Sequence, residues 1–228
     1  MPGSAFAVVD RHAIPDVLAL GDSVPAGAAC DCAPFPVLYA RKLAADGQAT
    51  DLARSGFTSD DVLTQVDDPT NKAAIRSASI IVIMVGANDV AAVFDAGGDT
   101  AAYRRAAATV EAKVTAILHR IRTVRAAFVP ILVLGYWNIV EDGDVARGDY
   151  SAAETAQAAT ITGYTNDALR AAATAGFATY VPTLAAFKGT NGTGNPTGLL
   201  ADDGDHPNAR GHAAIAAALY AAQPTATP

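Results

Sequence analysis

Along the chain, short runs that are apolar on every side alternate with longer segments that carry one apolar stripe. Val17–Leu20 (VLAL) is the first such run, and its length suits a buried strand. Phe35–Ala45 (FPVLYARKLAA) reads as a helix, with Val37, Leu38 and Ala45 available to the core. A short strand is predicted over Ala49–Ala53. Thr58–Val66 (TSDDVLTQV) opens another helix, since Thr58 or Ser59 suits the cap and the acidic residues fall where the helix dipole favours them. Ser79–Val85 (SIIVIMV) is apolar on both faces, as a central parallel strand is. In Thr100–Arg125 the residues Tyr103, Ala107, Val110, Val114, Ile117, Ile121 and Val124 recur at helical spacing. Ile131–Trp137 is a further buried strand and Ser151–Ala175 an alanine-rich helix. GFATYV, ending at Val181, is a last short strand, and a helix over Asn208–Ala222 follows. Strands separated by helices of this length predict a three-layer α/β/α sandwich around a parallel sheet of about five strands. No linker or repeat interrupts the pattern. A single domain is expected over 1–228, with 1–15 as an N-terminal extension and 223–228 as a tail.

Composition narrows the function classes. Hydrophobic residues make up 51% of the 228 and charged residues 17%, enough apolar material for a sizeable core. The formal net charge is -7 and there is no Lys/Arg run, which argues against nucleic acid or an anionic membrane as partner. No apolar stretch is long enough to span a bilayer. The first residues lack a signal-peptide pattern, so the expected chain is soluble, and either cytoplasmic or secreted with its signal removed. Cys30 and Cys32 are too few for a structural zinc site and do not form a C-x-x-C redox pair. They are expected to be free thiols; a C-x-C disulfide is the alternative.

Four stretches carry candidate chemistry. Gly21-Asp22-Ser23 follows the first strand, and Gly56 lies just past the second. Gly86-Ala87-Asn88-Asp89 follows the central strand, and Asp203 and His206-Pro207 precede the final helix. In a right-handed parallel sheet the carboxyl ends of the strands share one edge, so Ser23, Gly56 and Asn88 are expected to converge there. The loop before the last helix can bring His206 to the same edge. His12, His119 and His212 have no carboxylate at a comparable spacing: His119 is expected in solvent, and His212 to be structural or on the surface.

These four stretches resemble the sequence blocks of the SGNH, or GDSL-type, esterases and lipases. Gly21-Asp22-Ser23 resembles the nucleophile block, Gly56 the second, Gly86-x-Asn88-Asp89 the third and Asp203-x-x-His206-Pro207 the last. The resemblance runs from Val17 into the final helix. Val24 stands where the family nickname has leucine, which touches no catalytic position. It implies a flavodoxin-like sheet, Ser23 as nucleophile, His206 as general base and Asp203 as the carboxylate that orients it. It also implies an oxyanion hole formed by the Ser23 N–H, the Gly56 N–H and the Asn88 side-chain amide.

The residue types suit those roles. A serine hydroxyl needs a base to become nucleophilic, and a neutral imidazole can take the proton and return it to the leaving group. Activity is then expected to rise with pH through a histidine ionisation, ordinarily near about 6.5. No cofactor or metal is called for. The substrate is expected to be a small-molecule, carbohydrate or lipid ester, with small or short-acyl esters favoured because no long apolar insertion suggests a lid. The alternative is a non-catalytic ligand-binding module on the same scaffold. The absence of both G-x-G-x-x-G and a P-loop weighs against a nucleotide version of it.

Overall fold

Five short segments pair as one parallel sheet: Asp16–Gly21 (β1), Gln48–Asp51 (β2), Ile80–Met84 (β3), Ile131–Leu134 (β4) and Thr179–Val181 (β5). The computed structural model describes residues 14–125 and 128–223. The predicted extension up to residue 13, with His12, and the tail from residue 224 lie outside the described residues. The strand order is β2-β1-β3-β4-β5, the flavodoxin-like order, in which the chain reverses direction across the sheet between β1 and β3. Val17–Leu20 and Ile81–Met84 have no exposed surface, which explains why these strands read as unbroken apolar runs.

The helices are Phe35–Leu43 (α1), Ser59–Asp67 (α2), Lys72–Ser77 (α3), Ala87–Asp95 (α4), Thr100–Val124 (α5), Gly143–Asp149 (α6), Ala152–Ala175 (α7), Leu184–Lys188 (α8) and Ala209–Ala221 (α9). α1 packs with α9 in one layer, while α2, α3, α4 and α7 all pack with α5 or its neighbours in the other. Thr58, not Ser59, caps α2 through a capping box with Asp61. No described helix is long and apolar enough to cross a membrane.

Several expectations need correction. The buried face of α1 is Phe35, Pro36, Tyr39 and Ala40; of the three residues expected in the core, Leu38 is part-buried and packs against it, and Val37 and Ala45 do not. Phe35 and Tyr39 stand one turn apart and claim the core, whereas Ala45 lies past the helix end and is exposed. β4 ends at Leu134, three residues early, because Asn166 of α7 takes over both backbone groups of Tyr136. Its Oδ1 accepts the Tyr136 N–H at 2.8 Å, and its Nδ2 donates to the Tyr136 carbonyl at 2.9 Å. Cys30 and Cys32 are joined as a disulfide rather than free. Their Cα atoms are 5.2 Å apart, a turn-like spacing within the range a disulfide spans. His212 is fully buried, the structural of its two expected places, and His119 is exposed as expected.

Candidate active site

The loop that carries Ser23 begins with a forced turn. Gly21 has φ 144°, and a Cβ there would collide with the Met84 carbonyl of the adjacent β3. The next residue, Asp22, donates its N–H to that same Met84 carbonyl at 3.1 Å. Its side chain turns inward, where Oδ1 accepts the Val24 N–H at 3.0 Å and Oδ2 is hydrogen-bonded by the Tyr136 hydroxyl. The Ala28 N–H donates to the Ser23 carbonyl at 3.0 Å, so the chain coils tightly past the serine. Among the described residues, neither the Ser23 N–H nor its hydroxyl has a hydrogen-bond partner.

The central strand delivers Asn88 in the first turn of α4. Its Nδ2 donates one hydrogen to the Phe57 carbonyl at 2.8 Å, leaving a second hydrogen on the same nitrogen. Asp89 ties the same two segments again, accepting the Ser59 N–H at 2.9 Å and the Ser59 hydroxyl at 2.6 Å. The loop that carries Gly56 is thus latched to α4 at both Phe57 and Ser59. Gly56 itself has φ 82° and is exposed, and its N–H has no acceptor among the described residues. It does not line the cleft described below.

Asp203 and His206 sit on one tight loop. Asp203 Oδ2 lies 2.7 Å from His206 Nδ1, while Asp205 Oδ2 is 3.8 Å away. Asp203 Oδ1 accepts the N–H groups of Asp205 at 3.1 Å and His206 at 3.0 Å. Burial opposes the charge on Asp203, but these hydrogen bonds and the His206 ring outweigh it and hold its carboxyl below the ordinary range. Asp205 goes the other way, raised by burial even though His206 pulls it down. With Nδ1–H directed at Asp203, Nε2 is left to accept a proton. Asn208 secures the loop: Nδ2 donates to the Leu200 carbonyl at 2.7 Å, and Oδ1 caps α9 by accepting the N–H groups of Arg210 and Gly211.

Ser23, Asn88, Asp203 and His206 line one cleft of about 420 Å³ at the carboxyl ends of β1, β3 and β4. Tyr136 and Trp137 form part of its wall, as expected. Trp137 stacks on Phe187 with ring centroids 3.8 Å apart, which backs that wall with apolar surface. The Ala28–Phe35 loop does not line the cleft, against expectation. Ala29, Cys30 and Asp31 face a neighbouring depression beside Asp202, Asp203 and Asn208. Asp22, Asp95, Glu141, Asp203 and Asp205 all border the cleft, and among the described residues no Lys or Arg does.

Cys30, Cys32 and His212 place one potential ligand atom each within 4.8 Å of the others. They do not suit a metal as they stand. The sulfurs are bonded to each other and offer no thiolate, and His212 Nδ1 accepts the Phe35 N–H at 3.2 Å. Burial, followed by the nearness of His206, lowers His212 to about 4, so it stays neutral in its pocket.

The model of the GDSL-like lipase/acylhydrolase family matches residues 19–214. The chain belongs to this family. As a GDSL-like acylhydrolase it is a carboxylic ester hydrolase, which sets aside the non-catalytic reading. Comparison with curated proteins returned no match. Among solved structures, a lipase from a goat rumen metagenome superposes with a TM-score of 0.70 at 20% identity, covering 91% of this chain and 97% of its own. An extracellular lipase from Streptomyces rimosus gives 0.67 at 21%, covering 92% and 100%. An acetylxylan esterase from Geobacillus stearothermophilus gives 0.63 at 18%, covering 91% and 93%. These likenesses show that the fold is shared.

Residue type and spacing do not assign roles to Asn208, Glu141 or the Asp22–Tyr136 hydrogen bond. Asn208 carries a readable signal, a polar cap just before an apolar helix. Glu141 and the Asp22–Tyr136 pair carry none, because their positions depend on contacts between distant segments.

Proposed function

We propose that this acylhydrolase cleaves carboxylic esters through an acyl-Ser23 intermediate, with a preference for short acyl groups. Ser23 Oγ attacks the ester carbonyl carbon while His206 Nε2 takes the hydroxyl proton. Collapse of the tetrahedral adduct expels the alcohol, which receives that proton from His206. Water then attacks the acyl-serine with the same base and releases the acid. Asp203 holds the imidazole orientation and stabilises the imidazolium while it carries the proton. The observation that carries this reading is the 2.7 Å Asp203–His206 pair opening on the cleft that Ser23 and Asn88 also line.

The oxyanion needs donors in place before the reaction. Candidates are the Ser23 N–H, unpaired among the described residues, and the second hydrogen of the Asn88 amide; the Gly56 N–H, which lies outside the cleft lining, would need the loop held by Phe57 and Ser59 to move inward. Asn88→Ala is expected to lower kcat about 100- to 1,000-fold, or about 3–4 kcal/mol, with a smaller change in KM. Steady-state kinetics on the variant checks this; a loss confined to KM would assign Asn88 to substrate binding instead.

A cleft of this size sits toward the small end of ligand sites, which supports short acyl groups. Its carboxylate border supports neutral over anionic substrates. The test is a panel of p-nitrophenyl esters from acetate to palmitate, together with the hemisuccinate. Acetate and butyrate are expected to turn over fastest, and palmitate at least about tenfold more slowly. The hemisuccinate is expected to fall about tenfold below butyrate in kcat/KM, with the gap narrowing as salt is added. A rate that climbs with chain length would overturn the short-acyl preference and mark a lipase.

A further inference from the structure

Asp22 is a carboxylic acid with almost no access to water, at 1% exposure, and it borders the cleft immediately before Ser23. Its two oxygens are shared between the Val24 N–H and the Tyr136 hydroxyl. Tyr136 is itself buried. Among the described residues, no Lys or Arg lines the cleft that Asp22 borders. The charged or titratable groups that act on the pair are Asp205 and His206 from the loop before α9, and Asp89 from α4, whose charge reaches Tyr136. Two of those three are acids. A buried carboxyl with no cation and acidic company favours its neutral form.

We propose that Asp22 is a positioning residue that works in its protonated form, holding the Ser23 turn while placing no negative charge beside the developing oxyanion. The inference rests on the reading of Ser23 as nucleophile. A neutral carboxyl can still accept the Val24 N–H, and that bond leaves the adjacent Ser23 N–H unpaired. An ionised carboxylate one residue away would oppose negative charge gathering at the same N–H. The site then contains two carboxyl groups driven apart. Asp203 is held ionised by N–H donors and the His206 ring, and Asp22 is kept protonated by burial. Burial raises Asp22 to about 7, against the hydrogen bonds from Tyr136 and Val24 that pull it down.

The sign of the pH effect follows. Raising the pH ionises Asp22 and slows the reaction, so kcat gains a falling alkaline limb that the serine mechanism alone does not supply. Stability moves with it. A carboxyl raised on folding contributes stability at low pH, and that contribution is lost as pH rises through its folded value.

Initial rates of p-nitrophenyl acetate hydrolysis from about pH 5 to about pH 10 test this, alongside thermal unfolding over the same range. For the unmodified protein, kcat is expected to fall about tenfold per pH unit past the transition. Asp22→Asn lowers kcat without abolishing it and stays flat on the alkaline side, and its melting temperature gains on wild type as the pH rises. Tyr136→Phe removes a hydrogen bond that favours the carboxylate, so its falling limb moves to higher pH. Asp22→Ala loses the Val24 acceptor and is slow at every pH. The inference is overturned by a wild-type profile with no falling limb, by a limb that persists in Asp22→Asn, or by an Asp22→Asn enzyme as inactive as Ser23→Ala. Ser23→Ala is run in parallel: full activity in that variant would sink the nucleophile reading itself, whatever Asp22 does.

Discussion

Ser23→Ala is expected to lower kcat by on the order of 10,000- to 1,000,000-fold while leaving stability within about 0.5 kcal/mol of wild type. The two halves of this expectation have separate grounds. The Ser23 hydroxyl has no hydrogen-bond partner among the described residues and the side chain is only half-buried, so its removal breaks no native contact of consequence. Chemically, the loss is total for an acyl-serine route, because His206 has no other hydroxyl placed for it in the nucleophile loop. Burst kinetics with p-nitrophenyl acetate, and mass spectrometry of the trapped acyl-enzyme, would locate the covalent adduct on Ser23. A variant that hydrolyses within about tenfold of wild type would exclude Ser23 as nucleophile.

Gly21→Ala is expected to cost about 3 kcal/mol or more in stability and to silence the enzyme as well. Two penalties add at this position. At φ 144° the backbone lies where an L side chain is strained, and the added methyl would run into the Met84 carbonyl. That carbonyl belongs to the central strand and accepts the Asp22 N–H, so it cannot give way without opening the β1–β3 ladder at its catalytic end. Urea unfolding followed by circular dichroism measures the first effect, and ester hydrolysis by the surviving folded fraction measures the second. Wild-type stability in this variant would mean that the turn relaxes more freely than its contacts allow.

The parts of the molecule legible in the sequence are those governed by local chemistry or unbroken burial. The β1 and β3 cores, the long stripe of α5 and the cap of α2 follow from residue type and spacing alone. Asp203 and His206 were also readable, because three residues separate them and one loop holds both. What escaped depends on distant partners. Nothing near Tyr136 announces that Asn166 will end its strand, or that its hydroxyl will meet Asp22. On α1 residue type picks out Leu38, which does pack against the core, but not the aromatic pair Phe35 and Tyr39 that fills the space against α9. The cysteines were misjudged for a related reason: whether a C-x-C pair closes depends on the turn between them, which composition does not reveal. Short helices such as α3, α6 and α8 have too few residues for a periodic pattern to emerge.

The placement of the reacting groups has a consequence for how the protein comes to life. All five strands are complete by Val181, and Ser23 is already seated on the first of them. His206 enters only with the loop before α9, and α9 reaches its place by packing on α1, where the Phe35 N–H meets His212. On the proposed roles, base and carboxylate sit on one loop, so a chain with a finished sheet but an undocked last helix would hold every strand and lack its base. Catalysis is therefore a sharper gauge of that final docking event than any spectroscopic measure of sheet content.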